Sequence, residues 1–210
     1  MINSRFPSGI VRPRAATPIV VAVAAAVAIA GCGGSNNSRA SNSAVPKTEV
    51  SPAGDIPDNQ AFVAYSPPNG GYTVDVPEGW SRSAAGRAVI FTDKLNSVRM
   101  ESQTGGPVTV SAVKRNEIPK LRRDVNGFEL QSVGLVKRKG GSAVRVVYLA
   151  TAPADPVTGK RPVAAIERYF YVPAGRLAKS GKTVVLTLSG PKGADNVDPW
   201  KIITDSVRSN

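Results

Sequence analysis

Histidine is absent from the 210-residue chain, and cysteine occurs once. The first absence removes the commonest general base and the commonest metal ligand. The second excludes an internal disulfide and a cysteine-built zinc site. No apolar run reaches the ~20 residues needed to cross a bilayer comfortably. Acidic side chains are the scarce charge: 15 Asp+Glu stand against 27 Lys+Arg, a net charge of +12 at pH 7. That balance points to anionic surroundings without identifying them. What is present is a hydrophobic fraction of 41% in a chain long enough for one domain with tails. This suffices for a globular core and excludes wholesale disorder.

The N-terminus carries the sharpest signal. Arg5, Arg12 and Arg14 precede an apolar Val/Ala-rich run from Ile19 to Ala30. A basic segment followed by a short apolar one reads as a secretory leader. The run ends in Ile29-Ala30-Gly31-Cys32, and this quartet resembles a bacterial lipobox. The resemblance implies diacylglycerol on the Cys32 sulfur and cleavage between Gly31 and Cys32 by the lipoprotein signal peptidase. Small residues before the cysteine let an extended segment enter a narrow protease site, and the thiol alone can take a thioether-linked lipid. Residues 1–31 are therefore expected to be a signal peptide. Residues 32–59, rich in Ser, Asn, Ala, Gly and Pro, cannot offset their ordering entropy by burial and read as a flexible tether. Removing the leader leaves 24 basic against 15 acidic residues, a charge of +9. Residues 60–210 hold 22 basic and 12 acidic residues, a charge of +10. The basic character belongs to the folded part.

That part reads mainly as strands. Phe62–Tyr65 and Tyr72–Val76 flank the turn residues Pro67-Pro68-Asn69-Gly70-Gly71, and Ala88–Thr92 and Val98–Gln103 make a further pair. Phe128–Lys139 and Ser142–Ala150 flank Gly140-Gly141, a two-glycine hairpin signal. In the second arm Val144, Val146 and Tyr148 share one face, and Arg145, Val147 and Leu149 the other, which suggests a central strand covered on both sides. Val163–Val172 and Thr183–Ser189 complete the set, the latter alternating through Val184, Leu186 and Leu188. A helix is expected over Glu117–Val125, with Pro119 in its first turn. Another is expected from Asp198 as cap and Pro199 at the first position, with Trp200, Ile203 and Val207 as its apolar stripe. About seven strands and two helices make an α+β domain.

The segment Gly71-Tyr72-Thr73-Val74-Asp75-Val76-Pro77-Glu78-Gly79-Trp80 resembles the opening hairpin of PsbP-like domains. Asp195-Asn196-Val197-Asp198-Pro199-Trp200 through Val207 is similar to the closing helix of related exported bacterial lipoproteins. The resemblance spans Phe62 to Ser209 and implies a central antiparallel sheet with helices on its faces, a fold shared with the Ran-binding Mog proteins. Plant and cyanobacterial members bind photosystem II, but no photosystem-binding residue is matched here.

Chemistry-bearing motifs are sparse. Without histidine no Ser-His-Asp set can form. Gly181-Lys182-Thr183 would need a glycine where Arg176 stands, and a helix after the threonine, to be a phosphate-binding loop. A hairpin turn is the simpler reading. Asp195, Asn196 and Asp198 could offer oxygen to calcium, but helix capping accounts for them, so neither metal nor cofactor is expected. Trp80 and Trp200 read as core plugs, and Lys137-Arg138-Lys139 as a solvated hairpin tip. The resulting expectation is a non-enzymatic, lipid-anchored module on the extracytoplasmic face of the cell membrane. Its partners would be the membrane through Cys32, an anionic lipid or wall polymer, and an unknown protein. Export argues against nucleic acid. The alternatives are a carrier of lipid or small molecules, which requires a large apolar pocket, and a hydrolase with a Ser-Lys or paired-carboxylate site, which a buried lysine beside a serine would support.

Overall fold

The structure, a computed structural model, describes residues 53–210 apart from 69, 106–107 and 155–156. Gly31, Cys32, the expected leader and most of the expected tether lie outside the described residues.

Seven strands form one antiparallel sheet: β3 (Ser81–Ala85), β4 (Ala88–Asp93), β5 (Asn96–Thr104), β9 (Lys182–Pro191), β8 (Val163–Tyr171), β7 (Gly141–Thr151) and β6 (Glu129–Arg138), in that spatial order. A smaller sheet sets β2 (Tyr72–Pro77) between β1 (Phe62–Tyr65) and β10 (Arg208–Ser209). Four helices accompany them among the described residues: α1 (Val110–Asn116), α2 (Ile118–Asp124), α3 (Gly175–Ser180) and α4 (Val197–Asp205). The domain is α+β, with a central antiparallel sheet and helices on its faces.

Strand alternation divides the core into two layers. On one face Val98, Met100, Tyr169, Tyr171, Leu186 and Leu188 pack against Val74 and Val76 of the small sheet and Ile203 of α4. On the other, Val144, Val146, Tyr148, Phe170 and Val185 lie under Val113, Ile118 and Leu121 of α1 and α2. Side chains at 184 and 186 thus serve one core and that at 185 the other.

Several expectations need correction. Strand β7 is next to the β6 edge rather than central, and Arg145, Val147 and Leu149 on its second face are only half-buried. The helix expected over Glu117–Val125 is α2, with Pro119 in its first turn, but a further helix that was not expected, α1, precedes it. Pro119 has no N–H to bond back to the 115 carbonyl, so α1 stops at Asn116 and α2 restarts with the proline in its first turn. The hairpin loop is Lys139-Gly140, since Arg138 pairs with Gly141. A Cβ at Gly140 would sit 1.8 Å from the Val207 carbonyl oxygen, so the backbone itself packs here. Gly181 lies in the left-handed region at φ 65° and ends α3, rather than closing a hairpin.

The folded part also begins before the expected boundary at Gln60. Ile56 is buried, and its N–H donates to Asn196 Oδ1 at 2.8 Å. The Gly54 carbonyl accepts from Asn96 Nδ2 at 2.9 Å and from Asn196 Nδ2 at 3.1 Å. These bonds anchor the incoming chain beside the start of α4.

Candidate functional site

Register assembles the most chemically distinctive cleft. Arg145 on β7 stands opposite Tyr169 on β8, and Val147 opposite Glu167, so Arg145, Tyr169 and Glu167 share a face. At the end of β6, Arg138 faces Gly141, which has no side chain, and next to it on that face is Ala143. The small residues leave Arg138 free to reach across β7. Helix α4 walls the other side with Trp200 and Lys201. The resulting cleft has a volume of about 300 Å³.

Its floor is a hydrogen-bonded network. Arg138 Nη2 donates to the Tyr169 hydroxyl at 2.9 Å, and its guanidinium lies 5.4 Å from the centre of that ring. The Tyr169 hydroxyl donates to Glu167 Oε2, and Arg145 Nη1 donates to Glu167 Oε1 at 3.4 Å. Burial and the bond to Glu167 push the Tyr169 hydroxyl above its ordinary value, so it remains a donor. Burial opposes the charge on Arg138, but Tyr169 and the nearby Asp205 outweigh it and the guanidinium is held more firmly charged than usual. At the rim Lys201 Nζ meets Asp205 Oδ2 at 2.9 Å, and the Lys139 N–H donates to Asp205 Oδ1 at 3.1 Å. The arrangement can grip a polar or anionic group from below and hold an apolar surface against Trp200. It places no nucleophile beside a general base.

A larger concavity, about 750 Å³, lies on the opposite face between α1–α2 and the ends of β5 and β9. Arg115, Lys120 and Arg123 rim it, and Phe170 and Val113 reach its floor. It is an open groove, not the enclosed apolar pocket that a lipid carrier would require.

The residues singled out from sequence are distributed differently from expectation. Trp80 and Trp200 are half-buried at the margin of the core rather than plugging it. Lys137 and Lys139 are exposed, whereas Arg138 is half-buried in the cleft and is not part of a solvated tip. Asp198 does not cap α4. The cap position is Asn196, whose side chain instead bonds Ile56, Gly54 and Asn96, and Pro199 is the third helical residue. Asp195 offers its backbone N–H to Asp55. No group of three or more metal-ligating side chains occurs among the described residues. Among the described residues the buried polar ones are Thr73, Asn96, Thr183, Asn196 and Thr204, with no lysine among them. Sequence reading placed Arg145 on a strand face and gave neither it nor Glu167 and Tyr169 a functional role. Their signal was charge in largely apolar strands: Arg145 in β7, and Glu167 beside Arg168 in β8.

No family model matches the chain, and no curated protein matches it. Solved structures similar to it include a Pseudomonas aeruginosa protein of unknown function, at 14% identity and a TM-score of 0.43, covering 69% of this chain and 94% of the other. LpqN of Mycobacterium tuberculosis, described as involved in cell envelope biogenesis, is similar at 16% identity and a TM-score of 0.41, with 72% and 91% covered. The cyanobacterial PsbP of Synechocystis is similar at 14% identity and a TM-score of 0.49, with 72% and 94% covered; it is a member of the group that the Gly71–Trp80 segment resembles.

Proposed function

We propose that the protein is a non-enzymatic binding module of the cell envelope, tethered by lipid on Cys32, which holds its ligand in the cleft between α4 and the β6–β7–β8 face. The observation that carries this reading is the Arg138–Tyr169–Glu167–Arg145 network beside Trp200: a concave, cationic, pre-ordered surface without a nucleophile–base pair. Sites of this kind bind by placing a few polar groups in a shaped recess. A photoreactive residue at Val197, exposed at the cleft mouth, should crosslink to envelope material in intact cells. The same residue at Leu135, exposed on the opposite face of the sheet, should not. Equal yields from the two positions would remove the cleft as the seat of binding.

The tether rests on the Ile29-Ala30-Gly31-Cys32 motif. One acyl chain gives only marginal membrane attachment at about 0.8 kcal/mol per buried methylene, whereas the two of a diacylglycerol hold stably. Cys32→Ala should abolish incorporation of labelled fatty acid and stop cleavage after Gly31. A labelled Ala variant sinks the assignment.

A further inference from the structure

The cations of the cleft are not equally satisfied. Arg145 meets the Glu167 carboxylate at 3.4 Å, and Lys201 meets Asp205 at 2.9 Å. Among the described residues no carboxylate lies within ion-pairing distance of Arg138. Its partners there are a neutral phenol and the face of the same ring, and its Nε, shielded from solvent, has no hydrogen-bond partner among the described residues. A guanidinium presents five donors in a rigid fork, and this one uses a single nitrogen. Both contacts with Tyr169 hold that fork in place, so ligand binding would not have to order it. Arg145 and Lys201, already drawn to acidic neighbours, line the same recess. Glu167 Oε1 and Oε2 each take one hydrogen bond, which leaves lone pairs for hydroxyls on whatever the anion is attached to.

Resting on the reading of the cleft as a ligand seat, we infer that it contains an oxyanion subsite in which the free side of the Arg138 fork takes a phosphate or carboxylate group, with the rest of the ligand lying toward Trp200. The shape matches the chemistry: about 300 Å³ is at the lower end of ligand sites, room for one small unit or the end of a longer molecule. Phosphate on a lipid headgroup and free phosphate would present the same oxygens to the fork.

The test uses the full chain in non-ionic detergent micelles, with arginine side chains labelled for nuclear magnetic resonance. Inorganic phosphate, glycerol 3-phosphate and glucose are titrated separately. Phosphate and glycerol 3-phosphate should each shift the Arg138 Nε–H signal saturably, and glucose should not. Tighter binding of glycerol 3-phosphate assigns a headgroup-like source, and equal binding assigns recognition of the oxyanion alone. Arg138→Gln should weaken glycerol 3-phosphate at least about tenfold, with Arg138→Lys intermediate because it keeps the charge and loses the fork. An Arg138 signal indifferent to both phosphates overturns the subsite, and the wild-type titration decides this even if the variants fold poorly. Glucose shifting cleft signals while the phosphates do not would also overturn it, while leaving the cleft a ligand seat. Crosslinks at Val197 judge the broader reading independently.

Discussion

Asp205 shows how a single side chain ties the cleft rim to pH. Burial tends to raise its carboxyl, but Lys201, the Lys139 backbone N–H and the charge of Arg138 hold it below its ordinary value of 3.8. A carboxylate whose folded value is depressed contributes stability above its unfolded value and loses it as pH falls through the folded one. Asp205→Asn should therefore be less stable than wild type at pH 6, and the two should converge below pH 3.8 as the wild-type carboxyl is protonated. Denaturation midpoints across that range check this; a gap that persists in acid would assign the effect to packing. Asn196 makes a different case. It reads from sequence as a cap or a calcium ligand, yet it is buried and bridges Ile56, Gly54 and Asn96, residues 100 or more positions away. Nothing local in the sequence could reveal that role. Asn196→Ala leaves buried polar groups bare at about 1–3 kcal/mol each and should cost roughly 3 kcal/mol in chemical denaturation. A loss under about 0.5 kcal/mol would show the bridge to be dispensable.

At the scale of elements, legibility followed periodicity. The alternation of Val184, Leu186 and Leu188 and the paired arms around Gly140 located β9, β6 and β7 within a residue or two. Strand β3 was invisible because all five of its residues are exposed, leaving no hydrophobic period to read; its place is set by pairing with β4. Helix α3 is six residues, fewer than two turns, and its glycine C-cap resembles a hairpin glycine. Cleft and element legibility part company at β6: the strand could be read, but its edge position and the inward reach of Arg138 depend on the order of strands across the sheet. The tryptophans follow the same logic. Trp80, expected to plug the core, packs at its margin, so Trp80→Ala should cost about 1–3 kcal/mol, short of the 3–5 typical of a fully buried aromatic. A loss above about 4 kcal/mol would return it to the core.

The whole molecule distributes its charge unevenly. The exposed surface of α1 and α2 carries Lys114, Arg115, Lys120, Arg122 and Arg123 against Glu117 and Asp124. Lys120 is paired with Glu117 at 2.8 Å and Arg123 with Asp124 at 2.9 Å, so Lys114, Arg115 and Arg122 supply the surplus. Lys137, which shares neither face nor partners with Arg138, lies on the same side of the sheet. Each basic group near an anionic bilayer is worth up to about 1 kcal/mol, within a Debye length of about 8 Å at physiological salt. A chain lacking residues 1–45 should therefore co-sediment with anionic vesicles at low salt, release as salt rises, and ignore neutral vesicles. Reversing Lys114, Arg115 and Arg122 together should weaken this more than reversing Lys137 and Lys139, because three uncompensated charges on one layer act within a single screening length. Arg138 is excluded from the comparison, since it faces the cleft. Equal losses from the two sets would spread the attraction over the whole surface, and binding indifferent to salt would reduce the positive charge to a determinant of solubility.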